Sequence, residues 1–171
     1  MKFVKSTILN SNSEINIDER ITFDSEIFVR NSRLNDVEDV EVKGFLFYDD
    51  NQDVVEAHLN VKGVMVCPCA ISNVDVDVPF VTDSIEYFKF SKTEDENVHQ
   101  VTGDVLDLYP MVFQLILAEV PISVVAEDAE YPSGNGWEVI SESEYQEEKG
   151  KEIDPRLAKL KDFKLEDDRR D

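Results

Sequence analysis

Cys67, Cys69, His58 and His99 are all the thiols and imidazoles in a chain of 171 residues. Zinc takes four such ligands, so a Cys2His2 site would consume every one of them. The spacing argues otherwise. In Val-Met-Val-Cys-Pro-Cys the two thiols stand at C-x-C, on one face of a strand, rather than in the C-x2-C turn that grips a metal. His58 lies on the polar face of the preceding run, and His99 sits in an acidic stretch. A redox pair would call for C-x-x-C. The residues are read as two ordinary thiols, one or both partly buried, that end a strand.

Other chemistry finds less material. There is no G-x-S-x-G stretch, and a cysteine nucleophile has only two histidines to draw on as a base. Asp75 and Asp77 share a strand face and could bind a hard cation or act as an acid/base pair. In a chain with 38 acidic residues, a solvated face is the favoured reading of such a pair. Gly134-Asn135-Gly136 is not followed by the Lys-Ser/Thr of a phosphate loop. The residues predict no catalytic centre, no metal and no cofactor.

The elements that must position these groups are written in the periodicity. Val40, Val42, Gly44, Leu46 and Tyr48 fall on one face at period two, with Phe45 and Phe47 on the other. After the polar turn Asp49-Asp50-Asn51-Gln52, Val55, Ala57, Leu59 and Val61 alternate with Glu56, His58, Asn60 and Lys62, which predicts an antiparallel hairpin. A third strand is expected over Val74–Phe80 and a fourth over Ile85–Phe90, with Pro79 marking an edge or a bulge. Residues 91–103 read as an exposed acidic loop. Ile15, Ile17, Ile21 and Phe23 suggest one or two short strands, or a helical turn near Asp18–Phe23.

Asp107 to Val120 reads as a largely buried helix, with Pro110 in its first turn and Pro121 as its stop. A last helix begins at Asp154-Pro155, with Leu157, Leu160 and Phe163 on one side. The prediction is a single α+β domain over residues 1–163. It is mainly an antiparallel sheet, open or curled into a partial barrel, packed against the helix at 107–120 and a helix near 155–163. Residues 141–153 are expected to be an acidic mobile segment and 164–171 a charged flexible tail.

Charge supplies the functional constraint. A net charge of −21 repels phosphate backbones and anionic lipid heads, and it attracts basic partners. No apolar run is long enough to span a bilayer, and the opening Met-Lys-Phe-Val-Lys-Ser-Thr carries no signal-peptide core. The expectation is a soluble cytoplasmic protein with no membrane partner.

Several segments, taken in order, resemble the YceD-like family, the large-ribosomal-RNA-accumulation proteins of bacteria and chloroplasts. Within that family the chain looks most similar to the branch of low-GC Gram-positive bacteria and their relatives. The segments are Val-Lys-Gly-Val-Met-Val-Cys-Pro-Cys-Ala-Ile-Ser-Asn-Val-Asp-Val-Asp-Val-Pro-Phe, Asp-Leu-Tyr-Pro, Gly-Asn-Gly-Trp-Glu-Val and Ile-Asp-Pro-Arg-Leu-Ala-Lys-Leu. Many members carry C-x-R-C after the strand. In this chain Cys69 keeps the first cysteine, while Ile71 and Ser72 replace the arginine and the second cysteine. The resemblance implies a role in large-subunit ribosomal RNA accumulation and points to Cys69, Gly136, Trp137, Asp154, Pro155, Arg156 and Leu157 as binding positions. Combined with the charge, it predicts a non-enzymatic factor whose partner is a basic ribosomal protein or an assembly factor. Direct RNA contact through Lys43, Lys62, Lys89 and Lys92 is the disfavoured alternative; a metal-dependent processing enzyme is a further one.

Overall fold

Long alternating strands dominate the molecule. Its structure, a computed structural model, describes residues 1–11, 13–29 and 31–151. In chain order the elements are β1 (Lys2–Val4), α1 (Lys5–Leu9), β2 (Ile15–Ile21), a 3-10 turn (Ser25–Phe28), β3 (Asp36–Asp49), β4 (Val54–Pro68), β5 (Asp75–Lys89), β6 (Val98–Gln100), β7 (Val105–Asp107), α2 (Tyr109–Glu119), β8 (Ser133–Gly134), β9 (Trp137–Glu138) and α3 (Glu142–Lys151). The chain divides into two compact units, one ending at Ala129 and one beginning at Glu130.

In the first unit, β2-β3-β4-β5-β6 form one sheet, antiparallel throughout except for the parallel β5–β6 pair. The fold is α+β, mainly antiparallel, with an open sheet. β1 and β7 make a separate two-stranded sheet.

The inner face of the sheet is the one the periodicity selects. Val55, Ala57, Leu59, Val61, Met65 and Cys67 of β4 are all buried, as are Val40, Val42 and Leu46 of β3. Burying each such large side chain stabilises the fold by roughly 1.5–3 kcal/mol. α2 closes this face with Met111, Val112 and Ile116, joined by Leu108 just before it and by Ile8 of α1. The Asp107 carboxylate accepts the Tyr109 N–H at 3.0 Å, Pro110 stands in the first turn, and the chain is extended again at Val120 before Pro121.

β3 begins earlier than its alternation suggests. A bulge between Glu38 and Glu41 sets Asp39 and Val40 opposite Gly63, with Asp39 at a φ of 51°. The extra residue resets the parity, so Val37 and Val40 both reach the core although they stand three positions apart, a spacing that regular alternation would put on opposite faces. Regular alternation therefore starts only at Val40.

Three other segments differ from expectation. The strands expected at 74–80 and 85–90 are one continuous β5. Pro79 does not break it, because among the described residues Asp75–Glu86 pair only with β4, and an edge tolerates a missing N–H. The loop expected at 91–103 contains β6, which pairs with the end of β5 over only three residues. Residues 141–153, expected to be mobile, are helical over Glu142–Lys151. The Ser141 hydroxyl accepts the Glu144 N–H at 3.2 Å while the Glu144 carboxylate accepts the Ser141 N–H at 2.9 Å, a capping box. The helix expected near 155–163, and with it Asp154, Pro155, Arg156 and Leu157, lies outside the described residues, as does the 164–171 tail.

Candidate functional site

The inner row of β4 ends at Cys69, and the chain turns there. The Cys69 N–H donates to the Val74 carbonyl at 2.8 Å, and the Asn73 N–H donates back to the Cys69 carbonyl at 2.9 Å. Asn73 takes the left-handed conformation, φ 59°, that such a turn needs. The segment after α2 is drawn alongside by a parallel bridge between Cys69 and Val124, with the Ala70 N–H on the Val124 carbonyl.

These two segments aim three backbone N–H groups at one sulfur. The Cys69 Sγ accepts from Ile71 and Ser72 at 3.5 Å each and from Ala126 at 3.4 Å. Donors converging on a thiol favour its charged form. The Ala126 N–H, with Ser72 and Ile71 after it, holds the Cys69 pKa down at about 6. Cys67 has no such donors, and burial pushes its thiol up. A cavity of about 220 Å³, lined in part by Arg33, Pro68, Asn73 and Ile122, adjoins the turn.

A pH dependence follows. In a Cys67→Ala variant, thiolate absorbance at 240 nm should rise with a midpoint near pH 6. A midpoint above 8 would refute the donor geometry. The folded pKa is depressed from a reference of 9.0. The thiolate's contribution to stability is therefore complete above pH 9, and it is lost as pH falls toward 6.

The structure does not bring the four thiol and imidazole residues together. The cysteines face the core, whereas His58 projects from the opposite face of β4, stacked on Phe45 with ring centroids 4.4 Å apart. His99 lies on β6 with its Nε2 3.0 Å from the Glu86 carboxylate. Among the described residues no cluster of His, Cys, Asp and Glu could hold a metal ion.

The outer face of the sheet is the second feature. Its cross-strand register sets four rows: Arg20–Glu41–Lys62–Val81, Asp18–Lys43–Asn60–Asp83, Asn16–Phe45–His58–Ile85 and Phe47–Glu56–Tyr87. The last two rows make an exposed apolar and aromatic patch, with Ile85 50 % exposed and Phe47 and Tyr87 also open to solvent. The first two rows interleave cations with carboxylates. Glu41 accepts from both Arg20 and Lys62, the latter at 2.8 Å, and these bonds hold its pKa down at about 2. Asn60 donates to Asp83 at 2.8 Å. Lys89 turns away to the Gln52 carbonyl. The sequence contained this face, in the residues that alternate with the core rows.

Gly136 and Trp137 lie in the second unit, on the β8–β9 hairpin. Asn135-Gly136 is its two-residue turn, and Gly136 supplies the positive φ of 84°. Trp137 is 57 % exposed and lies over Gly134, where a Cβ would stand 2.5 Å from the indole. It packs on its own hairpin and leaves much of its ring in solvent. Cys69 belongs to the other unit.

A long-stranded antiparallel sheet, backed by one buried helix and exposing a mixed apolar and charged face, defines a sheet-based α+β protein. No described helix is long and apolar enough to cross a membrane. Residues 57–164 match the family model for the large ribosomal RNA subunit accumulation protein YceD, and the chain belongs to that family. It is 35 % identical over 152 residues to the uncharacterized protein YlbN of Bacillus subtilis (strain 168), covering 84 % of this chain and 85 % of that protein. No solved structure matches it. The family is one of ribosomal RNA accumulation, not a known enzyme family.

Proposed function

We propose that this chain is a non-enzymatic ribosome-biogenesis factor of the cytoplasm. It supports accumulation of large-subunit ribosomal RNA by holding basic ribosomal proteins or assembly factors. The family supplies the process, and the charge distribution supplies the mode. The observation that carries the reading is the pairing of cations on the exposed sheet face. Arg20 and Lys62 converge on Glu41, and Lys43 lies between Asp18 and Asn60, with Asp83 next in the row. A phosphate chain tracking these rows would meet a carboxylate beside each cation, in a molecule that carries −21 overall. A basic polypeptide would find carboxylates on the surface and an apolar patch to settle on, with fast, salt-sensitive encounter.

The test is capture from cell extract at low salt on the immobilised full chain. Basic ribosomal proteins should be recovered after nuclease treatment and should be released as salt rises. Recovery of naked ribosomal RNA that survives competitor RNA would overturn the reading.

One observation favours direct RNA contact as a second reading. Lys43 stands on the same face as the stacked Phe45–His58 pair, the raw material of a base-stacking platform. That reading requires a Phe45→Ala variant to lose affinity for single-stranded ribosomal RNA fragments while protein capture is unchanged.

A further inference from the structure

β5 is the longest open edge in the described structure. From Asp75 to Glu86 its only partner among the described residues is β4, and the β4–β5 register runs without a bulge from Val55–Phe88 to Pro68–Asp75. Natural sheets guard such an edge with lysine and other charges, proline, a bulge, a cover or short length. This one carries Pro79 and the carboxylates Asp75, Asp77 and Asp83, but it has no bulge and no lysine or arginine before Lys89, so its guards turn away acidic strands and not basic ones. Its outward row begins with Asp75 and Asp77 and continues through Val81, Asp83 and Ile85, with Val81 64 % exposed. Its inward row, Val76, Val78 and Phe80 among them, is only half-buried although Val78 and Phe80 already pack on the core. Another strand laid along this edge would satisfy the free backbone groups and complete the burial of the inward row.

The carboxylates select the occupant. A second copy of the chain would bring a further −21 against an edge whose only charges are acidic, and like charges across a strand pair are destabilising. Asp75 and Asp83 each give an oxygen to an asparagine, Asn35 and Asn60, which fixes their side chains in place.

We propose that the open edge of β5 receives an extended lysine- or arginine-rich segment of a partner protein as an added strand. Basic side chains of that segment lie on the outward face against Asp75, Asp77 and Asp83, and apolar ones lie on the inward face beside Val76, Val78 and Phe80. Main-chain hydrogen bonds supply affinity and the alternating side chains supply selection. The proposal rests on the reading that the partners are basic polypeptides, and it names the place and manner of their binding.

The test uses the full chain and a short synthetic peptide of alternating lysine and valine, followed by amide hydrogen exchange and titration at low salt. Exchange should slow within Asp75–Glu86 when the peptide binds. An Asp75→Asn, Asp77→Asn, Asp83→Asn variant should bind it about tenfold more weakly, the scale expected for three exposed charge pairs. N-methylation of the peptide's amides on both alternating registers should abolish binding while leaving its charge intact. Failure to bind, protection confined to other segments, or undiminished binding of the fully methylated peptide would overturn the proposal. If the edge fails while basic ribosomal proteins are still captured from extract, the docking mode alone falls. If that capture also fails, the functional reading falls with it.

Discussion

Gly44→Ala should cost about 3–5 kcal/mol, enough to remove much of the stability of a domain this size. Gly44 sits in the middle of β3, between Ile17 on β2 and Leu59 on β4. Its φ of 152° belongs to a region that only glycine occupies freely. A Cβ there would stand 1.8 Å from the His58 carbonyl oxygen and 2.9 Å from its carbon. Backbone blocks the position, so no rotamer change relieves it. The ladder must part at its centre or the strand must shift. Urea denaturation should show a large fall in midpoint. A shift under about 0.5 kcal/mol, the size of an ordinary surface substitution, would refute the close approach of these strands.

Phe28→Ala is expected to cost about 3–5 kcal/mol by a different route, the loss of a fully packed ring and the cavity left behind. Phe28 is 1 % exposed, on the 3-10 turn between β2 and β3. It stands edge-on to Phe23 at 6.3 Å and meets Phe113 of α2 at 5.8 Å, while Phe23 continues the cluster to Tyr109 at 4.9 Å. The ring therefore ties the turn to the helix that closes the core. Its neighbour Ile27, 46 % exposed, is the internal control. Ile27→Ala should move thermal unfolding little, and equal effects at the two positions would show that the cluster does not anchor the turn.

What was legible in the sequence depended on how far the causes lay from one another along the chain. The β3–β4 hairpin was readable because period-two alternation and a polar turn are local. The buried α2 was readable because its apolar run lies between two prolines. β1 and β7 were not, since three residues are too few for a period and their partners lie a hundred positions away. The Val37 parity was hidden by a bulge whose signal is the conformation of one aspartate. α3 did carry a local mark, Ser141-Glu142-Ser143-Glu144, and the glutamate density around it obscured that capping box.

At the candidate sites the same rule holds. The placement of Cys67 and Cys69 on one strand face followed from their spacing. The environment of Cys69 did not, because one of its three donors, the Ala126 N–H, comes from beyond α2. The exposed face of Phe45, His58 and Ile85 was present in the alternation, but its rows exist only once the registers of four strands are known.

The pairing of β1 with β7 has a consequence for how the molecule is made. Lys2–Val4 leave the ribosome well before their partners Val105–Asp107, which follow only after the whole meander of β2 to β5 has been synthesised. At about 5–20 residues per second, that is a wait of roughly 5–20 s. The meander joins sequence neighbours and can collapse as it emerges. The strand at Lys2–Val4 must stay unpaired until β7 emerges, and α2, which follows directly, then closes the inner face of the sheet.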